Sequence, residues 1–185
     1  MRNIIITTLM GLSLLACADK KTKTENKAPQ ISKEIKKQAK ASFSVKDIIN
    51  NYLAIKNALT KDDGKTTAEA AKKLFETLEN TSTDGLDQEK KSVFMDIYES
   101  IRENAEHIST NAGNVEHQRE HFALLSRDIN DLTDSFGTAG LKLYVDFCPL
   151  YNNQKGALWI SEKKEIINPY YGAKMSDCGS VKKEL

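Results

Sequence analysis

Asn114-Val115-Glu116-His117-Gln118-Arg119-Glu120-His121-Phe122 opens a segment running to Phe136, and the reading of this segment decides the fold. Phe122, Leu125, Ile129, Leu132 and Phe136 recur at intervals of three and four, which places them on one stripe of a helix. Most positions between hold charged, amide or hydroxyl side chains, with Ala123 and Leu124 the apolar exceptions. A helix with a single apolar stripe is stable only when that stripe meets another helix, so the segment predicts a bundle seam. Asn114 is suited to cap it, because a side-chain carbonyl accepts from an otherwise unpaired N–H of the first turn.

Three segments upstream carry matching stripes. The first opens at Ser44, a plausible N-cap, and places Val45, Ile48, Ile49, Tyr52, Leu53 and Leu59 at helical spacing before Lys61-Asp62-Asp63-Gly64 stops it. A second, from about Thr67 to Glu79, aligns Ala68, Ala71, Leu74, Phe75 and Leu78. A third, from about Asp87 to Ser109, aligns Phe94, Ile97, Tyr98, Ile101, Ala105 and Ile108. The connections are short, so consecutive helices are expected to lie antiparallel. The fold class is therefore all-α, an up-down four-helix bundle. Gly137 and Gly140 end the bundle. Leu141 to Phe147 alternates apolar and polar residues like a short strand, and Cys148 to Gly179 collects Pro, Gly, Asn, Trp and Tyr. We expect a small, irregular, cysteine-containing cap from about residue 141, packed on one end of the bundle with Trp159 as a buried staple. Bundle and cap together make one domain over residues 43–185.

The N-terminus carries a different message. Arg2, an apolar run from Ile4 to Leu15 and the stretch Leu14-Leu15-Ala16-Cys17 read as a bacterial lipoprotein signal over residues 1–16, with Cys17 the lipidated residue. The run is shorter than the roughly 18–20 residues of a permanent membrane span. Residues 17–42, rich in Lys, Thr, Glu and Asn, read as a polar tether that cannot bury enough surface to fold. The expected place is the cell envelope, periplasm-facing or outer membrane, with the membrane itself a partner through the acyl chains.

Composition narrows the chemistry. With 27 basic and 26 acidic residues the net charge is +1, which gives no field that would select nucleic acid. No Gly-rich loop follows a strand, so no nucleotide site is expected, and no G-x-S-x-G is present. Acidic residues alternate with lysines at helical spacing, the pattern of a solvated face. The expectation is a protein that is not an enzyme. What remains is Cys148, Met175 and Cys178, together with His107, His117 and His121. Thiolate and thioether donors suit soft ions such as Cu(I), and an imidazole would complete the set. The alternative is a Cys148–Cys178 disulfide, which would close a loop of about thirty residues. His117 and His121 form H-x-x-x-H, one turn apart on one side of the fourth helix. His107 and His117 are equidistant from Ala112, so an antiparallel hairpin sets them at similar height. Helical phase nevertheless places His117 and His107 well off their apolar stripes and His121 at a boundary, which points to a site on the rim or to solvated histidines.

Four blocks carry a family resemblance: Glu116 to Phe122, Cys148-Pro149, Gly156-Ala157-Leu158-Trp159-Ile160-Ser161, and Asn168 to Gly179 with Asn168-Pro169-Tyr170-Tyr171-Gly172 at its start. Over roughly Ile48 to Val181 the chain resembles the domain of unknown function 3347 family. The resemblance implies a secreted or lipid-anchored protein related to C-terminal extensions of heavy-metal efflux adaptors. It thus implies copper or a related soft metal as cargo, and efflux components as partners. The family commonly has His-Cys-Pro-Met where this chain has Phe147-Cys148-Pro149-Leu150, so an imidazole and a thioether are replaced by hydrocarbon. The leading expectation is a lipid-anchored copper chaperone or buffer with Cys148, Cys178, Met175, His121 and His117 as ligands. The rival is a non-catalytic envelope interaction module with a disulfide-stabilised cap.

Overall fold

The computed structural model describes residues 43–185; Cys17, the signal and the tether lie outside the described residues. Four helices dominate: α1 (Lys46–Leu59), α2 (Gly64–Glu79), α3 (Gln88–Thr110) and α4 (Val115–Phe136). Each packs on its neighbour in sequence, which is the antiparallel up-down arrangement. The predicted stripes meet in one core: Ile48, Ile49, Tyr52, Leu74, Phe94, Ile101, Phe122, Leu125, Ile129 and Leu132 are all buried. Phe136 is only partly buried and closes the end of the bundle against Phe43 and Phe94. Asp87 and Asn114 cap α3 and α4 as their types predict, accepting from the N–H groups of Lys90 and His117.

Two helix starts differ from expectation. Val45 rather than Ser44 precedes α1, and the Ser44 hydroxyl only accepts a 3.3 Å bond from Lys46 N–H. The break at Lys61-Asp62-Asp63-Gly64 follows the end of α1 at Leu59 as expected, but its glycine already begins α2, three residues before Thr67. Asp63 caps α2 by accepting from Thr66 N–H at 3.0 Å, and the glycine is there because α2 starts hard against the α3–α4 turn. A Cβ on Gly64 would lie 2.6 Å from the Ala112 carbonyl oxygen. The same joint is tied by buried Gln118, whose amide donates to the carbonyls of Gly64 and Ile108.

The cap is more ordered than the sequence suggests. It is a three-stranded antiparallel sheet of β1 (Tyr144–Cys148), β2 (Ala157–Ser161) and β3 (Ser180–Glu184), in the order β2-β1-β3. The helices and this small sheet are joined in one fold, a helical bundle with a disulfide-containing C-terminal cap. Cys148 and Cys178 form that disulfide across 30 residues, with Cα atoms 5.7 Å apart. The sheet does not sit on a bundle end. It lies along the side where α1 and α4 meet, with contacts from Arg119 near the start of α4 to Asp134 near its end. Tyr52 of α1 explains part of this placement: its ring stacks on Phe122, and its hydroxyl accepts from Ile160 N–H of β2 and bonds Ser126 of α4. Trp159 is fully buried, as expected of a staple, and meets Tyr170 edge to face. Buried Lys56 donates to Glu162 at 2.7 Å. Buried Arg119 donates to the carbonyls of Pro169 and Leu59 and pairs with Asp62 and Glu116. Among the described residues, no helix is long and apolar enough to cross a membrane.

Candidate metal centre

The α3–α4 hairpin brings three imidazoles together. His107 stands on the last turns of α3, and His117 and His121 stand on the first turns of α4. One nitrogen from each ring lies within 4.8 Å of the others. His107 and His121 stack with centroids 4.2 Å apart, and His117 meets His121 nearly at right angles at 4.7 Å. The arrangement follows from helix geometry. Residues four apart share a helix side, and an antiparallel hairpin sets positions equidistant from its turn at one height.

Neighbouring groups prepare the rings for a cation. Asn104, buried on α3, places its Oδ1 3.0 Å from His121 Nδ1, and Glu120 places Oε2 3.1 Å from His117 Nδ1. Such outer-shell acceptors commonly back metal-bound histidines. Partial burial lowers the pKa of His121 below its ordinary value, and the neighbouring His107 and His117 rings add to the effect. The fit to an ion is close but requires movement. Donors around a tetrahedral ion with bonds of about 2.0–2.1 Å stand roughly 3.3 Å apart, so the widest pair must close by about 1.5 Å. His107 is exposed, and His117 and His121 are half-buried.

The sulfur residues are placed elsewhere. Cys148 and Cys178 are bonded to each other, so neither offers a thiolate here. Met175 is exposed on the loop before Cys178. Arg119 is the α4 residue that reaches the cap loop at Pro169. His117 and His121 lie two residues to either side of it, about 200° around the helix, and therefore face α3 instead. The expected mixed set of Cys148, Met175, Cys178, His117 and His121 is thus split: the two histidines belong to the hairpin cluster and the sulfurs to the cap. His107, left out of that expected set, takes its place beside them. Its signal was available in the equal spacing about Ala112, but helical phase measured against the apolar stripes hid it, because the cluster occupies the outer seam between two helices.

The family model described as "Protein of unknown function (DUF3347)" matches residues 48–140. The chain belongs to this family. The match covers α1 from its third residue, all of α2 to α4 and the three histidines, whereas the sheet and the disulfide follow it. No curated protein and no solved structure matches the chain.

Proposed function

We propose that this DUF3347 protein binds a transition-metal ion at His107, His117 and His121. The single observation behind the proposal is the convergence of three ring nitrogens within 4.8 Å of one another on one hairpin. Imidazole suits copper, zinc and nickel, whereas a Cu(I)-specific site would draw on sulfur. With the cysteines joined, the donor set favours a divalent ion, copper(II) or zinc, over Cu(I). Three protein ligands at a rim leave further positions for water or for a donor from another molecule, as a carrier or buffer requires. The role is one of holding and passing on metal, not of catalysis. The lipoprotein reading of residues 14–17 supports a lipid-anchored place in the envelope, where efflux components are natural partners.

The rival interaction module gains from one observation, the disulfide itself, which makes the cap a rigid element. Thermodynamic titration separates the two readings. Wild-type protein at neutral pH should take up one equivalent of zinc or copper(II). His107→Ala and His121→Ala should each weaken uptake at least tenfold, and replacing both cysteines by alanine should leave it unchanged. Absence of uptake by wild-type protein would leave the interaction module as the reading.

A further inference from the structure

Asn104 is set apart from other side chains around the centre by its burial and by having each end of its amide committed. Its Nδ2 donates to the Ser100 carbonyl at 2.9 Å and to Asp128 Oδ2 at 3.3 Å, and Ser100 Oγ donates to the same Asp128 oxygen at 2.8 Å. The Ser100 carbonyl can only accept, so the amide cannot be reversed without facing oxygen to oxygen. Oδ1 must therefore point at His121. An amide oxygen is an acceptor alone, so the His121 Nδ1 atom 3.0 Å away has to carry the proton.

Resting on the metal reading above, we infer that Asn104 is the positioning residue of this centre, locking His121 as the Nδ1–H tautomer so that Nε2 is the atom given to the ion. The corresponding partner of His117, Glu120, sits on the surface with 70% of its side chain exposed, whereas Asn104 is 5% exposed. The two therefore differ in firmness. Water competes for the carboxylate at His117, while nothing replaces the amide at His121. Asn104 also sets the ring plane of His121, which stacks on His107, and so orients two of the three donors at once.

The test reads the tautomer directly, by long-range ¹H–¹⁵N correlation of the histidine rings in metal-free protein, and then follows zinc titration of the same samples. Wild-type His121 should show a protonated Nδ1 and an unprotonated Nε2, with Nε2 shifting on zinc addition. Asn104→Leu should lose the tautomer preference and bind zinc 10–100-fold more weakly while keeping its helicity by circular dichroism. A wild-type His121 protonated on Nε2 would overturn the inference even if the variant failed to fold. Zinc affinity unchanged in a folded Asn104→Leu would overturn it while leaving the metal reading intact. A wild-type protein that takes up no zinc would overturn both.

Discussion

The helical bundle and the sheet beside it are held by different means. In α1 to α4, apolar residues at intervals of three and four make local helices that meet along one core, and the polar work is done at the ends by Asp63, Asp87 and Asn114. The cap has three five-residue strands and depends on distant partners: Tyr52 and Lys56 from α1, Arg119 and Asp134 from α4, and the Cys148–Cys178 bond. Both regions bury polar groups, Asn104 and Gln118 in the bundle among them, but the sheet leaves more of their atoms unpaired. Asp146 of β1 is fully buried with neither carboxylate oxygen paired, opposite Trp159, whose indole N–H is likewise unpaired. The cap leans on bundle side chains for its polar contacts, whereas the three rings of the histidine cluster stand on α3 and α4 alone.

The largest effect should come from the staple. Trp159→Ala should cost about 3–5 kcal/mol, and Leu125→Ala in the bundle core about 2–5 kcal/mol. In thermal melts followed by circular dichroism and by tyrosine fluorescence, both variants should lower one common transition. A Trp159→Ala protein that loses the sheet signal while its helices melt at the wild-type temperature would show that the bundle draws no stability from the cap.

Removing the cross-link comes next. Reduction, or Cys148→Ala with Cys178→Ala, should lower stability by about 3–4 kcal/mol for a loop of this size. Denaturant unfolding with and without reductant measures it. A similar effect of opposite sign is expected at Asp146. Burial raises its pKa to about 6, only partly offset by Lys56. A carboxyl whose folded pKa exceeds its unfolded value imposes no penalty below pH about 4, a growing one from there to about 6, and the full one above. Asp146→Asn should therefore stabilise the protein by up to about 3 kcal/mol at pH 7 and by nothing at pH 3. Unfolding free energies at the two pH values check the sign. The smallest change lies back in the bundle: Asp63→Ala removes the α2 cap and should cost about 1 kcal/mol by chemical denaturation.

The same contrast explains what could be read from the sequence. The α4 stripe from Phe122 to Phe136 is self-announcing, because each residue's environment is fixed by neighbours three and four positions away. Gly64 hid the start of α2, because a glycine's tolerance of close approach, here to the Ala112 carbonyl, resembles its tendency to end helices. The strands β2 and β3 were not legible, since Ala157–Ser161 and Ser180–Glu184 become strands only by pairing with β1 from distant stretches of chain. Cys148 and Cys178 were visible as a pair, and the fold brings them together as a bond. The histidines were visible as an H-x-x-x-H pair with His107 at the height of His117, but the meeting of all three rings depended on the rotation of α3 against α4, which periodicity does not specify.

Whether the ion belongs to the bundle or to the sulfur-bearing cap can be measured by X-ray absorption at the metal edge of zinc- or copper(II)-loaded protein, alongside the Cys148→Ala, Cys178→Ala variant. The account predicts nitrogen and oxygen neighbours alone at about 2.0–2.1 Å, imidazole scattering from three rings, and an identical spectrum in the variant. Sulfur neighbours at about 2.3 Å in the wild-type protein, lost in the variant, would contradict it.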